Sequence, residues 1–203
     1  MRLLVAAVML AGCAHYERVS LEPPGEAPGV KKYVDELKRW TRHGHVIADF
    51  DEALTVDATM HSPEFRAAYA EKWIDVYKLA PDDAARKRVE LIGQIANVWE
   101  FHFNTSGHTW EVNEMLPVKK QWRLQLVDEK GRAVEAMLVK QVRDRIEIEQ
   151  EFYPQAGIFT RAWLVQFPRN LLDGTPLINT DTKKVTLRIA GPKGDIDLVW
   201  ELK

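Results

Sequence analysis

Residues 43–61 concentrate side chains that could bind a metal ion. This stretch, HGHVIADFDEALTVDATMH, holds three histidines and three aspartates within nineteen residues. Imidazole nitrogens and carboxylate oxygens are suitable ligands for zinc and other divalent ions. The candidate ligands of a divalent metal such as zinc are therefore His43, His45, Asp57 and His61. The alternative is that the same side chains form one solvated face of a sheet.

A second polar row could supply acid/base chemistry. Glu100 and His102 are two residues apart and would share one face of a strand, where a carboxylate and an imidazole could exchange a proton. The row continues with Asn104 and His108. Solvent exposure explains it equally well, because every second residue between 99 and 103 is aromatic and would enter the core.

Trp110 and Arg161 are the remaining candidates for contact with a ligand. The other tryptophans lie on apolar stripes and are expected in the core, whereas Trp110, in the segment HTWE, lies outside any stripe. Arg161 interrupts the apolar face of a predicted strand over 159–167. It could bind an anion, pair with a carboxylate or lie at a sheet edge.

Motifs for the common catalytic mechanisms are absent from the sequence. It contains no G-x-S-x-G, no HExxH, no P-loop and no Rossmann glycine pattern. Its one cysteine, Cys13, lies near the N-terminus. A pair of carboxylates of the kind that glycosidases use stays open, because sequence spacing does not give the distance between two carboxyl groups.

A β-hairpin would bring the histidines of the first stretch together. From Val46 to Met60 every second residue is apolar, except Glu52. Nineteen extended residues would reach about 60 Å, too far for one strand of this domain, so we expect a hairpin loop at 51–53. This register places His43 opposite His61. The loop lacks the glycine that tight turns prefer, and one bent strand would instead separate the histidines.

The remaining patterns predict an α+β fold. Apolar spacings of three and four residues predict an N-terminal helix and a helical hairpin, over about 30–42, 63–80 and 82–96. The period changes to two from residue 98, with glycine-containing turns at 128–131 and 191–194 and expected strands that include 133–142, 146–149 and 159–167. We therefore expect an antiparallel β-sandwich with an N-terminal helix and an inserted helical hairpin, as a single globular domain over 30–203.

The N-terminus has the features of an export signal. Arg2 precedes a ten-residue apolar run from Leu3 to Gly12, a length typical of a signal peptide and too short to span a membrane. The run ends in LAGC, which resembles the lipobox of bacterial lipoproteins. The resemblance implies that residues 1–12 are removed and that Cys13 is acylated. Two or more acyl chains are enough for stable anchoring in a membrane.

The segment that follows the cysteine predicts a flexible tether. It contains Pro23-Pro24-Gly25 and Pro28-Gly29, which disfavour helix, so we expect a lipidated cysteine and tether over 13–29. Ala14 after the cysteine, where the lipoprotein family uses aspartate for retention, favours the outer membrane, on its periplasmic side.

Composition narrows the class of function. The formal net charge is −2 and basic residues form only short runs, of which Arg86-Lys87-Arg88 is the longest, which argues against a nucleic-acid partner. The leading hypothesis is a lipid-anchored envelope protein without catalytic activity that acts as an interaction or assembly module for a protein partner. The alternatives are an envelope binding protein for a small molecule, glycan or metal ion, and an envelope hydrolase.

Overall fold

The fold is a β-sandwich with helices on one outer face. The computed structural model describes residues 16–25, 32–48, 51–93 and 97–203. Within these residues, one sheet has five strands, the other has four, and every pairing inside the sheets is antiparallel. The predicted α+β class and the β-sandwich are confirmed.

The helices and strands follow one another in an order that encloses the helical hairpin between early and late strands. The helices are α1 (Tyr33–Trp40), α2 (Pro63–Tyr77), α3 (Pro81–Gly93) and α4 (Ile146–Phe152). The strands are β1 (Thr41–Ala48), β2 (Asp51–Met60), β3 (Val98–Gly107), β4 (Arg123–Asp128), β5 (Ala133–Glu135), β6 (Leu138–Val142), β7 (Arg161–Pro168), β8 (Lys184–Gly191) and β9 (Gly194–Glu201).

The core lies between the two sheets. The first sheet has the order β1-β2-β3-β7-β6 and the second β5-β4-β8-β9. Alternate residues of each strand enter the core, as the period of two predicts. On β3 the inward residues include Phe101, whose ring lies 5.6 Å from that of Phe167 on β7 and 5.4 Å from that of Trp200 on β9. These three side chains are fully buried and join the two sheets.

The start of α2 follows from its sequence. Ser62 accepts a hydrogen bond from the backbone N–H of Phe65 (3.0 Å), and Pro63 occupies the first turn, where its missing N–H costs nothing. The helix ends at Lys78, which adopts a left-handed conformation (φ 49°), so α2 is shorter than the predicted 63–80. Phe65 is fully buried on the side of α2 that faces the sheet.

Three predicted strands differ from the structure. The segment 133–142 is divided into β5 and β6, which belong to different sheets. The segment 146–149 is helical, because Glu149 and Phe152, three residues apart, are the side chains that α4 buries. The strand predicted over 159–167 begins at Arg161, and Phe159 is exposed. Short apolar alternations fit a helix turn as well as a strand, which explains the second difference.

Residues 16–22 pack on the domain and are here called the N-terminal clamp. Val19 is 1% exposed and forms a parallel bridge with Leu202. Its N–H donates to the carbonyl of Glu201 (2.8 Å), and its carbonyl accepts from the N–H of Lys203 (2.9 Å). The predicted flexible tether over 13–29 is therefore wrong for residues 16–22. Prolines and glycine after the clamp gave no sign that a single valine would join the sheet.

The signal segment and Cys13 lie outside the described residues. Within the described part of the chain, no helix is both long enough and apolar enough to cross a membrane.

Candidate functional site

The two polar rows of the sequence lie side by side on one face of the five-stranded sheet. Strand register places His43 opposite Asp57, and Asp57 opposite Asn104. Thr59 lies opposite His102 in the next row. Residues directly opposite each other in antiparallel strands share a face, so these side chains form one polar surface on the side away from the sandwich core.

The predicted pairing of His43 with His61 is wrong. β1 ends at Ala48 and β2 begins at Asp51, so the connection precedes the predicted loop at 51–53 and the register shifts accordingly. His43 Nδ1 lies instead 2.9 Å from Asp57 Oδ1, on an exposed part of the sheet. The ring of His45 lies 6.3 Å from that of His43. The described residues contain no group of three or more histidine, cysteine or acidic side chains arranged to hold a metal ion.

Helices α2 and α4 cover the other half of this polar face. Phe65 and Arg66 approach from α2, while Glu149 of α4 and Tyr153, just after it, approach from the other side. Tyr33 of α1 donates a hydrogen bond to the carbonyl of Phe152 (2.6 Å), which ties α1 to the end of α4. The interpretation that the second row faces solvent is wrong for Glu100 and His102, which lie beneath the helices and are 7% and 4% exposed, whereas His108 at the end of the row is exposed.

A series of hydrogen bonds lies between these two helices and the sheet. Tyr153 Oη lies 2.9 Å from His61 Nε2, and His61 Nδ1 lies 2.9 Å from Glu100 Oε1. Arg66 Nη2 donates to the same Glu100 oxygen at 2.5 Å, and Gln166 Nε2 donates to the other at 2.6 Å. Glu100 therefore accepts from three side chains, which come from the end of β2, from α2 and from β7.

The pKa values of the groups in this series of hydrogen bonds determine which of them are charged. Burial lowers the pKa of His61 to about 4, because it outweighs the hydrogen bond to Glu100, which raises the pKa, and the nearby charge of Arg66 also lowers it. Burial acts to raise the pKa of Glu100, but the His61 hydrogen bond and the charge of Arg66 outweigh burial and lower it to about 2. Burial raises the pKa of Tyr153 well above its usual value. At neutral pH Tyr153 therefore keeps its hydroxyl proton and His61 is neutral. Glu100 is an ionised carboxylate, and Arg66 is a charged guanidinium.

Hydrogen-bond directions follow from these charges. The tyrosine hydroxyl of Tyr153 donates to His61 Nε2, and the protonated Nδ1 of His61 donates to Glu100. This order of hydroxyl, imidazole and carboxylate resembles the order in hydrolytic triads. Tyr153 is only 3% exposed and the His61 side chain 10%, so a bulky substrate has no access to the hydroxyl. The arrangement stabilises a buried charge pair.

His102 belongs to a second pair rather than to Glu100. Its Nε2 lies 2.6 Å from Glu149 Oε1, within ion-pair distance but without the alignment of a hydrogen bond. Its ring stacks on Tyr153, with centroids 3.7 Å apart and planes within 6°. Asn104, on the same strand face, is 2% exposed, and neither of its amide atoms has a hydrogen-bond partner among the described residues. The predicted acid/base partnership of Glu100 with His102 is therefore replaced by two separate pairs.

Sequence reasoning missed the residues that α2 and α4 contribute. Arg66 lies four residues before Ala70 and seven before Trp73, on a largely apolar side of the helix, which was a signal for a buried cation. Glu149 lies three and four residues before Phe152 and Tyr153, so a helical interpretation would have placed these three together. Nothing local indicated that the two helices meet over β3.

Trp110 and Arg161 meet at one end of the sheet. The Arg161 guanidinium carbon lies 4.0 Å from the centroid of a Trp110 ring, and Arg161 Nη1 lies 3.3 Å from Glu114 Oε2. Of the three roles open for Arg161, the structure supports pairing with a carboxylate. Trp110 is 71% exposed, as its place outside the apolar stripes predicted. Its use as a ligand contact stays a prediction.

Two more exposed apolar side chains lie close to Arg161 in the chain. Ile158 and Phe159 come shortly before β7 and are 77% and 83% exposed. Ile158 and Arg161 line one cleft of about 290 Å³, which Glu149 also borders. We call Trp110, Ile158 and Phe159 the apolar end cluster. Large exposed apolar side chains that collect in one place are typical of surfaces that bind a partner.

Comparison with known proteins identifies no family. No family model matches the chain, and no curated protein sequence matches it. A solved structure from Burkholderia pseudomallei, described as a novel protein of unknown function, is 8% identical in sequence. The match covers 82% of this chain and 80% of that one, with a TM-score of 0.42.

Proposed function

We propose that this protein is a lipid-anchored component of a bacterial cell envelope that acts as a non-catalytic interaction or assembly module. The apolar end cluster carries the proposal, because two aromatic rings and an isoleucine, each more than two-thirds exposed, stack on Arg161 or lie close to it in the chain. The buried charge network supports the same view. Its acid and base groups are paired with one another, and Glu100, Arg66 and the largely buried His61 lie beneath the helices.

The anchor in this proposal is Cys13. The LAGC motif after an apolar run supports acylation, and Ala14 supports sorting to the outer membrane on its periplasmic side. The partner is a protein rather than a nucleic acid, since the chain is slightly acidic. Trp110 and Phe159 supply aromatic area of the type that dominates binding energy at protein interfaces.

Replacing Cys13 by alanine tests the anchor. We expect the wild-type protein to incorporate labelled palmitate and to sediment with the outer membrane, and the Cys13→Ala protein to do neither. The reason is that the acyl chains that hold a lipoprotein in the bilayer are attached through this cysteine. Sedimentation of Cys13→Ala with the membrane, without label, would overturn the lipid anchor.

A photo-crosslinking amino acid at position 159 tests the partner surface. We expect it to yield a discrete crosslinked protein in intact cells, and the further change Trp110→Ala to weaken that product, because both side chains belong to the apolar end cluster. The matched control is the same amino acid at position 89, since Val89 is 74% exposed on α3, away from the cluster. Equal products at both positions, or none at 159, would contradict this partner surface.

A further inference from the structure

The N-terminal clamp changes how far the domain can lie from its anchor. This inference rests on the proposed acylation of Cys13. A tether over 13–29 would span up to about 60 Å when extended. Because Tyr16 already lies against the domain, only three peptide units separate it from Cys13, which is at most about 11 Å. The clamp therefore brings the domain to the membrane surface.

The clamp is held by contacts along its length and not by Val19 alone. The Arg42 guanidinium carbon on β1 lies 4.1 Å from the centroid of the Tyr16 ring, and the N–H of His43 lies 3.4 Å from Tyr16 Oη. Arg39 of α1 lies 3.7 Å from a carboxylate oxygen of Glu17. Val19 adds its buried side chain and two backbone hydrogen bonds to the end of β9. Tyr16 is thus fixed against α1 and β1.

Position and chain length together select one face of the domain. β1 is an edge strand of the five-stranded sheet, and the exposed side chains nearest to Tyr16 include His43 on that strand. β6 is the opposite edge, four strand spacings or about 19 Å away. A lipid surface within about 11 Å of Tyr16 therefore lies against the β1 edge rather than the β6 edge.

We propose that the β1 edge, with Tyr16, His43 and His45, is the face of this protein that rests on lipid headgroups. The clamp then acts as a fixed short anchor, which sets the orientation of the domain as well as its location. β7, which leads from the apolar end cluster, lies three strands from β1, or about 14 Å. The cluster therefore stays available to a partner while the β1 edge faces the bilayer.

Two single-cysteine proteins test this orientation. His45 and Lys140 are both exposed on the same sheet face, at opposite edges, so His45→Cys and Lys140→Cys form a matched pair. Cys13 is the only native cysteine and is acylated under the proposal, which leaves each introduced thiol free for a fluorophore. The full lipidated protein is placed in vesicles of phosphatidylethanolamine and phosphatidylglycerol that contain a headgroup nitroxide quencher.

We expect quenching at position 45 to exceed that at position 140 by about twofold or more, because the two edges differ by about 19 Å in distance from the lipid. A flexible Gly/Ser linker of about 20 residues between Ala14 and His15 adds roughly 25 Å of reach and should remove this difference without touching the clamp. Equal quenching in vesicle-bound protein, or a difference that the linker leaves unchanged, would overturn the orientation alone. Protein that never binds the vesicles would overturn the lipid anchor instead.

Discussion

Replacing Glu100 by leucine is expected to lower the free energy of unfolding by about 3–5 kcal/mol, because breaking a buried ion pair by removing one partner is strongly destabilising. Glu100 is 7% exposed and accepts hydrogen bonds from Arg66, His61 and Gln166. Without the carboxylate, the buried guanidinium of Arg66 loses its ion pair with Glu100. Urea unfolding at pH 7, followed by circular dichroism, measures the loss.

Two further variants separate the buried charge from other effects. Glu135→Gln breaks the exposed pair with Arg123, whose side chains are 54% and 65% exposed, and should cost less than about 1 kcal/mol. The double variant Arg66→Met with Glu100→Leu should recover much of the stability lost in Glu100→Leu, because it removes both charges. A double variant as unstable as the sum of its two single variants would show that the two side chains act independently.

Sequence patterns predicted the architecture because they report local geometry. Alternation of apolar residues on β3 and β8, and a glycine turn before β9, are decided by which side chains enter the core. The α2–α3 hairpin was equally predictable from the sequence, since Ser62 and Pro63 mark its start. These features depend on near neighbours in the chain, and the structure confirms each of them.

The candidate site was less predictable because it depends on contacts between distant elements. Polar residues on β3 alternate in the same way whether water or a helix covers them, so the pattern alone could not show that α2 and α4 bury Glu100 and His102. Because the connection between β1 and β2 lies a few residues earlier than predicted, His43 is opposite Asp57 rather than His61. The clamp was missed because its contact with Leu202 joins the two ends of the chain.

Lowering the pH should reduce the free energy of unfolding, because the pKa of His61 is lower in the folded chain than in the unfolded chain. An unfolded histidine has a pKa of about 6.5, whereas burial lowers that of folded His61 to about 4. Between these pH values the unfolded chain binds a proton that the folded chain does not, so stability is present above pH 6.5 and is lost as the pH falls toward 4. The groups that surround His61 are Arg66, Tyr69, Glu100, His102 and Tyr153.

We expect the free energy of unfolding to fall by about 3 kcal/mol between pH 7 and pH 4, at about 1.4 kcal/mol for each unit of pKa difference. Glu100, with its pKa of about 2, adds a separate loss below pH 4.5 as its carboxylate is protonated. His61→Gln should be less stable at pH 7 but lose less between pH 7 and 4. His45→Gln, a change at an exposed position of β1, controls for the loss of an imidazole. A wild-type protein whose stability stays constant over this range would show that folded His61 has the pKa of an unfolded histidine, and the lowered pKa of His61 would then be wrong.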